Sequence, residues 1–390
     1  MKILLLGEFS RLHNSLKEGL IKLGYEVILA GSGDSFKQYP VDINLDATFI
    51  KKSRLLTFVR HAFFKITRFD LASIETYLRF RKIKHVVTHF DVVQLINEFT
   101  FNTTPIVEKR LLRHLFDKHN NIYILACGDD YTFISYLLAD SFPHSTLTPY
   151  LKDKTLKKQY IHTLNYISSE RKEISQLIRK NIKGIIPVSV EYLEAYKNER
   201  KVVPMIPNPI NIEKIKYSEL KNENVIKIFH GINSANILKK GNQYFTTALD
   251  IIKQKYPSKV EITIVQDEPY ELYIRQLEKT HILLDQVYAH DQGYNALEAM
   301  AMGKVVFTGA GAYFQKYYQL EKKVAINTSP DVDRIVSDLS LLIENPDRLI
   351  TISKNARWFI EQYHDFQKIA KTYTTTWTKI NESVQSSNSK

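Results

Sequence analysis

The feature that most constrains the fold is a regular alternation of short apolar segments with longer stretches of helical periodicity. Strands that alternate with helices form parallel sheets covered by helices. Residues 122–126 are apolar on both strand faces, which fits burial between two helix layers. The first half therefore predicts an α/β fold, in which ligands bind beyond the carboxyl ends of the strands. The apolar segments read KILLLG, EVILAG, FDVVQLIN, NIYILACG and GIIPVS.

The pattern restarts after the proline-rich segment PMIPNPIN at 204–211, which is typical of an interdomain connection. A chain of 390 residues with 44% hydrophobic content exceeds what one core usually holds, so two domains are expected. In the second half, the sequence predicts strands at 225–230, 260–266 and 281–286, with helices from Gly241 and over 270–279.

Residues 290–309, HDQGYNALEAMAMGKVVFTG, join a small-residue turn, a helix with one carboxylate and a strand. Gly293 permits a close approach of backbone to ligand, and the N–H groups of a helix beginning near Gln292 would face a phosphate. Glu298 lies in an otherwise apolar helix, where burial of an ionised group is costly without hydroxyl or amide partners. The segment predicts an anion site; the alternative for Glu298 is a solvated position at a rim.

The segment LEAMAMGKVV resembles the donor-binding signature of family 4 glycosyltransferases, which have two Rossmann-like domains in the GT-B arrangement. The resemblance implies two parallel sheets facing across a cleft. It places an acceptor-binding domain at 1–206 and a nucleotide-sugar-binding domain at 207–365, with a terminal helix at 366–383 crossing back onto the first. It also implies that Glu298 binds ribose or sugar hydroxyls. His290 stands where the family has a first glutamate, so the contact to the transferred sugar must come from His290, Asp291 or another group.

A second constellation is FHGINSANILKKG at 229–241, a strand, a polar loop and a helix introduced by a lysine pair. The resemblance implies that this loop, from Gly231 onward, binds the donor diphosphate and that Lys240 clamps it. Ile232 replaces the family's arginine, so compensation is expected from Asn233, Ser234 or Lys239. By itself, a lysine pair in a loop is more often solvated surface.

Other donor contacts are expected at strand ends and at the start of the motif helix. Gln266 and Tyr270 follow one strand, and Asp285 and Gln286 end the next, where they could read the edges of a base. Tyr294 could stack on the donor sugar or approach it. The leaving phosphate would be stabilised by Lys240 and by the helix amides. Those amides belong to Gly293, Tyr294 and Asn295.

Asp129 is the candidate general base, because it follows a strand end where a carboxylate would be exposed in the cleft. The alternative is an N-cap for the following helix, a role that suits Asp130 better. Glu98 is a second candidate base. The pair Asp331 and Asp333 opens a helix and is expected to serve its terminus rather than a metal. We predict no metal and no cofactor beyond a UDP- or GDP-linked donor sugar.

The positive charge lies mainly in the first half, where residues 1–205 hold 31 Lys and Arg against 21 Asp and Glu, compared with 23 against 21 afterwards. Residues 47–69 contain no carboxylate and interleave apolar with basic side chains. This predicts a basic amphipathic helix that docks on an anionic membrane surface; the alternative is a helix packed on the sheet with a solvated rim. Nucleic-acid binding is not expected, because zinc spacing and an RNP-like strand are missing. The basic residues are Lys51, Lys52, Arg54, Arg60, Lys65 and Arg68.

The single cysteine, Cys127, fits a reducing compartment, and the start MKILLLGEFS has too few apolar residues for a signal-peptide core. A cytoplasmic protein is expected, peripheral on the inner face of the plasma membrane if the basic segment binds lipid. The predicted function is sugar transfer from a nucleotide sugar to a lipid-linked saccharide or another cell-envelope glycan. Two alternatives stay open: a silent two-domain scaffold, and a GT-B epimerase or phosphorylase.

Overall fold

The computed structural model of the chain describes residues 1–34, 38–67, 69–83 and 89–388. Among these residues, six parallel strands form a first sheet in the order β3-β2-β1-β4-β5-β6. The direction of winding reverses between β1 and β4, so a topological switch point lies at the carboxyl ends of these two strands. The strands are β1 (Lys2–Leu6), β2 (Glu26–Gly31), β3 (Ile43–Asn44), β4 (Val92–Leu95), β5 (Ile122–Ala126) and β6 (Gly184–Pro187).

Within the same described ranges, a second parallel sheet has five strands in the order β11-β10-β9-β7-β8. Two of its interior strands, residues 282–284 and 305–308, are fully buried and mainly apolar, as expected for a sheet covered on both faces. The predicted α/β class with two parallel sheets is confirmed. The strands are β7 (Ile226–Ile232), β8 (Val260–Gln266), β9 (Ile282–Leu284), β10 (Val305–Thr308) and β11 (Ile326–Asn327).

Helices connect the strands of both sheets. Those of the first half are α1 (Leu12–Lys22), α2 (Thr48–Lys52), α3 (Arg54–Thr67), α4 (Leu71–Ile83), α5 (Pro105–Phe116), α6 (Tyr131–Leu138), α7 (Thr148–Lys152), α8 (Ile161–Leu164), α9 (Ser169–Asn181) and α10 (Val190–Tyr196). Those of the second half are α11 (Ile237–Lys240), α12 (Asn242–Lys255), α13 (Tyr270–Glu278), α14 (Tyr294–Ala301), α15 (Ala312–Tyr318), α16 (Val332–Glu344), α17 (Pro346–Tyr363) and α18 (Phe366–Asn388).

The last helix, α18, packs on the first sheet and on α1. Trp377 is fully buried, and its indole N–H donates to Gln94 Oε1 on β4 at 3.3 Å. Tyr123 on β5 donates to the carbonyl of Trp377 at 3.2 Å. A Cβ at Gly19 of α1 would lie 2.3 Å from the carbonyl oxygen of Phe366, so only glycine permits this close approach. The end of the chain is thus bound to the first sheet.

The basic segment forms two helices instead of the single predicted one. Ser53 adopts an extended conformation and separates α2 from α3, and neither helix, both described in full, contains a buried residue. Arg60 forms an ion pair with Asp70 at 2.5 Å, which fixes α3 to the start of α4; Arg68 lies outside the described residues. In the described ranges, we find no helix with the length and apolarity needed to cross a bilayer. The exposed apolar residues of the segment include Phe49, Leu55, Phe58, Val59 and Ile66.

Candidate functional site

The carboxyl-end loops of the two sheets meet. Asp129 follows β5 of the first sheet, and its Oδ2 accepts a hydrogen bond from Lys239 Nζ of α11 at 3.4 Å. Thr163 Oγ1 donates to the same carboxylate oxygen at 3.4 Å. Because Asp130 caps α6 by accepting from the amide of Phe133 at 2.7 Å, Asp129 does not serve as the cap. The structure therefore brings together the candidate base and a candidate phosphate-binding lysine from opposite domains.

The start of α14 is open to a ligand. The helix begins at Tyr294, two residues later than predicted, because Gln292 donates to the carbonyl of Gly309 and holds the preceding turn extended. No side chain in the described part of the chain caps it, and the first intrahelical bond runs from Leu297 to Gly293. The amides of residues 294–296 therefore precede this bond. A Cβ placed on Gly293 would meet only Gln286 Nε2, at 3.9 Å, among described atoms within 4 Å, so there is space beside this end.

A buried carboxylate ties Lys240 to this helix end. Asp285 Oδ1 accepts from Lys240 Nζ at 2.9 Å and from Asn295 Nδ2 at 3.1 Å, and Thr308 Oγ1 lies 3.4 Å from Oδ2. The Asp285 side chain is only 1% exposed, so the prediction that it reads a base edge is wrong. An ammonium has three hydrogens to donate, and Lys240 can therefore contact a phosphate while it stays paired with Asp285.

Two glycines of the 229–241 segment have different explanations. Gly241 adopts the left-handed conformation with φ 70° and breaks α11 from α12, and a Cβ there would lie 2.9 Å from Val287. This break positions the Lys240 carbonyl to accept from Val287 N at 2.8 Å. Gly231 lies on β7, where a Cβ would be 2.3 Å from the ring of Tyr273. Close packing against α13 is the reason that this position needs glycine. The predicted ligand contact is not required to explain the glycine.

The polar loop after β7 is tied to the end of β8. Asn233 accepts from the amide of Ala235 at 2.9 Å, and the amide of Ser234 donates to Asp267 at 2.9 Å. Gln266 Nε2 donates to Ser234 Oγ at 2.6 Å. The structure thus gathers Asn233, Ser234 and Gln266 in one exposed cluster at the carboxyl edge of the second sheet. Their polar groups stabilise the loop that precedes the lysine pair.

Glu298 is buried and has a hydroxyl partner. Its Oε2 accepts from the hydroxyl of Tyr270 at 3.0 Å, and the residue is 9% exposed, which excludes the alternative of a solvated glutamate. Tyr39 of the first domain lies close enough that the charge of Glu298, after burial, raises the pKa of this tyrosine. A carboxylate and two tyrosines from both domains therefore lie near one another.

His290 and Asp291 join the two domains. His290 Nε2 donates to the carbonyl of His144 at 2.8 Å, and its ring packs against Phe142 with centroids 4.7 Å apart. Asp291 Oδ2 accepts from the amide of Val190 at 2.9 Å, at the start of α10. Burial lowers the pKa of His290 and raises that of Asp291 to about 6. Both side chains therefore serve the domain interface, and of the predicted alternatives for a sugar contact, His290, Asp291 or another group, the structure favours another group.

Two further predictions need correction. The Tyr294 hydroxyl donates to the carbonyl of Pro209 at 2.7 Å, and its ring packs against the cores of both domains, so it does not stack on a donor sugar. Glu98 is 2% exposed, forms an ion pair with Arg179 at 2.9 Å and accepts from Ser175 Oγ at 2.5 Å. Its oxygens are occupied by structural partners, which removes it as a candidate base.

Among the described residues, no cluster of three or more His, Cys, Asp or Glu could hold a metal ion. Asp331 accepts from the amide of Arg334 at 3.0 Å and caps α16, as its position before the helix predicts.

One carboxylate at the first sheet lies in the segment 7–10, which the sequence places at the carboxyl end of the first strand. Glu8 lies two residues beyond β1, is 3% exposed and interacts with Asp34 and Tyr39. The signal was present in the sequence, because a carboxylate that directly follows the first strand is placed at the ligand-binding edge of the sheet.

Comparisons with solved structures identify the arrangement as the GT-B fold. Sucrose-phosphate synthase from Thermosynechococcus elongatus shares 13% identity over 98% of this chain and 100% of its own, with a TM-score of 0.59. HepE from Anabaena, in complex with UDP-glucose, shares 13% identity over 99% of this chain and 100% of its own, with a TM-score of 0.53. UDP-GlcNAc 2-epimerase from Neisseria meningitidis, bound to UDP-GlcNAc, shares 13% identity over 97% of this chain and 100% of its own, with a TM-score of 0.52. At these identities the likeness establishes the fold. No protein-family model matches the sequence, and a search of curated proteins finds no significant match.

Proposed function

We propose that this GT-B chain is a glycosyltransferase that moves a sugar from a UDP- or GDP-linked donor to a lipid-linked saccharide or another cell-envelope glycan. The observation that carries the proposal is the uncapped start of α14 beside Lys240, two features that would together bind a diphosphate. The solved structures with the same fold that hold UDP-glucose or UDP-GlcNAc support a nucleotide sugar as the donor class.

Breakage of the sugar's C1–O bond leaves negative charge on the nucleoside diphosphate, and preorganised donors are needed where that charge develops. The α14 amides and Lys240 would supply them, a helix terminus contributing up to about 2 kcal/mol when partly buried. Glu298 would accept hydrogen bonds from ribose or sugar hydroxyls while Tyr270 orients it. Lys239 would add a second cation once a donor displaces it from Asp129.

Membrane docking through α2 and α3 belongs to the same proposal. Phe58 is 71% exposed and Ile66 is 84% exposed, which is unusual for side chains of this size. The basic residues Lys52, Arg54 and Lys65 lie on the same two helices. Apolar side chains with flanking cations are suited to the interface of an anionic bilayer, where each nearby basic residue contributes about 1 kcal/mol. This surface would bring a lipid-linked acceptor to the first domain.

A second candidate function is epimerisation of a nucleotide sugar, because one structure with the same fold is an epimerase bound to UDP-GlcNAc. Both functions need the same diphosphate site. They differ in product, since an epimerase returns an altered nucleotide sugar and a transferase releases the free nucleotide.

Thermal unfolding with UDP, GDP, UDP-glucose, UDP-GlcNAc and GDP-mannose tests the proposal. A ligand present at 100 times its Kd should stabilise the chain by about 2.7 kcal/mol. Product analysis then separates nucleotide release from epimerisation, and binding without either reaction would indicate a silent scaffold. The control is Lys227→Ala, which removes an exposed lysine of the same sheet that pairs with Glu223. If no compound raises the melting temperature, the proposed function is wrong.

A further inference from the structure

Glu8 lies at the edge of the first sheet where the strand order reverses. Ligand sites of open α/β sheets lie at the carboxyl edge where the strand order reverses, here between β1 and β4. Glu8 follows β1 at this point, after Gly7, whose φ of 83° turns the chain. A Cβ at Gly7 would lie 2.2 Å from the side chain of Ile96 beyond β4, so the two strand ends are in close contact.

Glu8 has one oxygen that is firmly held and one that is not. Oε2 accepts from the amide of Asn14 at 2.8 Å and from Asn14 Nδ2 at 2.6 Å. Oε1 is buried and has no hydrogen-bond partner in the part of the chain that the structure describes. His13, whose Nδ1 donates to the carbonyl of Gly7 at 2.7 Å, likewise has a buried Nε2 with no partner there. Since buried polar atoms are nearly always hydrogen-bonded, each of these two atoms is available to accept a hydrogen bond from a hydroxyl group.

The surroundings place Glu8 opposite the donor domain. Tyr39 interacts with the charges of both Glu8 and Glu298, and so does Tyr294 at the start of α14. The two carboxylates therefore lie near the same two tyrosines, with Glu8 on the side of the first domain. Among the described residues, the ionisable groups around Glu8 also include Asp34, beyond β2, and Cys127, after β5.

We propose that Glu8 binds a hydroxyl of the acceptor through Oε1 and takes its proton during transfer. The inference rests on the proposed function and names the residue of the first domain that would activate the nucleophile. In the step, the acceptor O–H bond breaks and the proton moves to Oε1, while the acceptor oxygen forms a bond to the sugar's C1. The bond from C1 to the phosphate oxygen breaks, and its electron pair leaves with the nucleoside diphosphate. Glu8 returns its proton to water after the product departs.

Two properties favour Glu8 over Asp129 for this task. Burial, the largest influence, raises the pKa of Glu8 to about 7, against the opposing effect of the hydrogen bonds from Asn14. A base with a pKa near the working pH is the most effective. Asp129, in contrast, already accepts from Lys239 and Thr163. Its position suits an ion pair with Lys239 better than proton transfer.

The test uses UDP-glucose and GDP-mannose as probes. Water takes the place of the acceptor in this assay. Nucleotide release is measured between pH 5.5 and 9, and UDP affinity is measured by calorimetry. Glu8→Gln should lower nucleotide release about 100- to 10,000-fold and leave the Kd for UDP within twofold. In the wild type, release should fall as the pH drops below about 7, because the base becomes protonated, and this limb should vanish in Glu8→Gln. Glu8→Ala with added formate should recover part of the rate.

The matched control is Glu26→Gln, an exposed glutamate on β2 that pairs with Lys2 at 2.9 Å. If Glu8→Gln binds UDP and releases nucleotide at the wild-type rate, the inference is overturned and the proposed function stays intact. The inference would also be overturned if nucleotide release by the wild type fell at a pH well away from 7. This measurement does not depend on whether the variants fold. Wild-type protein that neither binds UDP nor releases nucleotide from either probe would overturn both.

Discussion

Lys240→Ala should weaken nucleotide binding about 10- to 150-fold. A hydrogen bond to a charged group contributes about 1.5–3 kcal/mol, and each 1.4 kcal/mol corresponds to a factor of ten in Kd. Lys240 is 27% exposed while it is paired with Asp285, and its ammonium has three hydrogens, so it can make this contact without moving away from Asp285. Isothermal calorimetry with UDP and GDP, well below the melting temperature of each variant, measures the effect directly.

The same substitution has a second consequence, because it leaves a buried carboxylate without its cation. Removal of one partner from a buried ion pair costs about 3–5 kcal/mol. Asp285 keeps Asn295 and Thr308 as donors, so we expect the lower end of this range, about 3 kcal/mol. For a domain of this size, that corresponds to a fall in melting temperature of roughly 6–12 °C.

The double variant Lys240→Ala/Asp285→Asn separates the two effects. It removes the uncompensated charge, so it should recover most of the stability while nucleotide affinity stays low. Lys227→Ala serves as the lysine control, since Lys227 pairs with Glu223 instead of with Asp285. An unchanged Kd in Lys240→Ala would refute the diphosphate site, and a double variant as unstable as the single one would refute the role assigned to Asp285.

Other predictions concern the donor pocket, the exposed helices and the terminal helix. Glu298→Gln should raise the KM for a nucleotide sugar about tenfold with a wild-type circular dichroism spectrum, and unchanged kinetics would remove its role in hydroxyl binding. Lys51, Lys52, Arg54 and Lys65 changed together to Ser should abolish sedimentation with anionic vesicles, Arg60 being retained because it pairs with Asp70; continued sedimentation would favour an ordinary solvated surface. Trp377→Ala should reduce the free energy of unfolding by about 3–5 kcal/mol in urea titrations, and a loss below 1 kcal/mol would contradict the packing of α18 on the first sheet.

Much of the architecture could be predicted from local patterns. Apolar runs such as residues 122–126 indicate strands buried on both faces, since a strand of this composition is stable only between two layers. The segment around Gly293 indicates an open helix start, because a small residue at the N-cap leaves the first amides without a side-chain partner. The boundary errors were local as well: Ser53 interrupts the basic helix by one extended residue, which periodicity does not register.

The chemistry of the candidate site was harder to predict, because side chains of similar type have different partners. The positions of Asp285, at a strand end, and Glu298, in a helix, could both be predicted from the sequence. Their partners could not, since Asp285 is paired with Lys240 and Glu298 with the hydroxyl of Tyr270. His290 and Asp291 lie just before the segment that resembles a donor-binding signature, but contacts with residues 144 and 190 hold them at the domain interface. Motif position alone could not distinguish these uses.

The sequence by itself determined which segments are strands and helices and that two parallel sheets would form, because hydrophobic periodicity and helix-end chemistry act over a few residues. Only the tertiary structure decided that Asp129 meets Lys239, 110 positions later, and that Glu8 stands at the point where the strand order reverses. Strand order and domain docking depend on contacts between groups far apart in the chain. Such contacts have no local signature, so the roles of these charged residues emerge only when the two domains are in place.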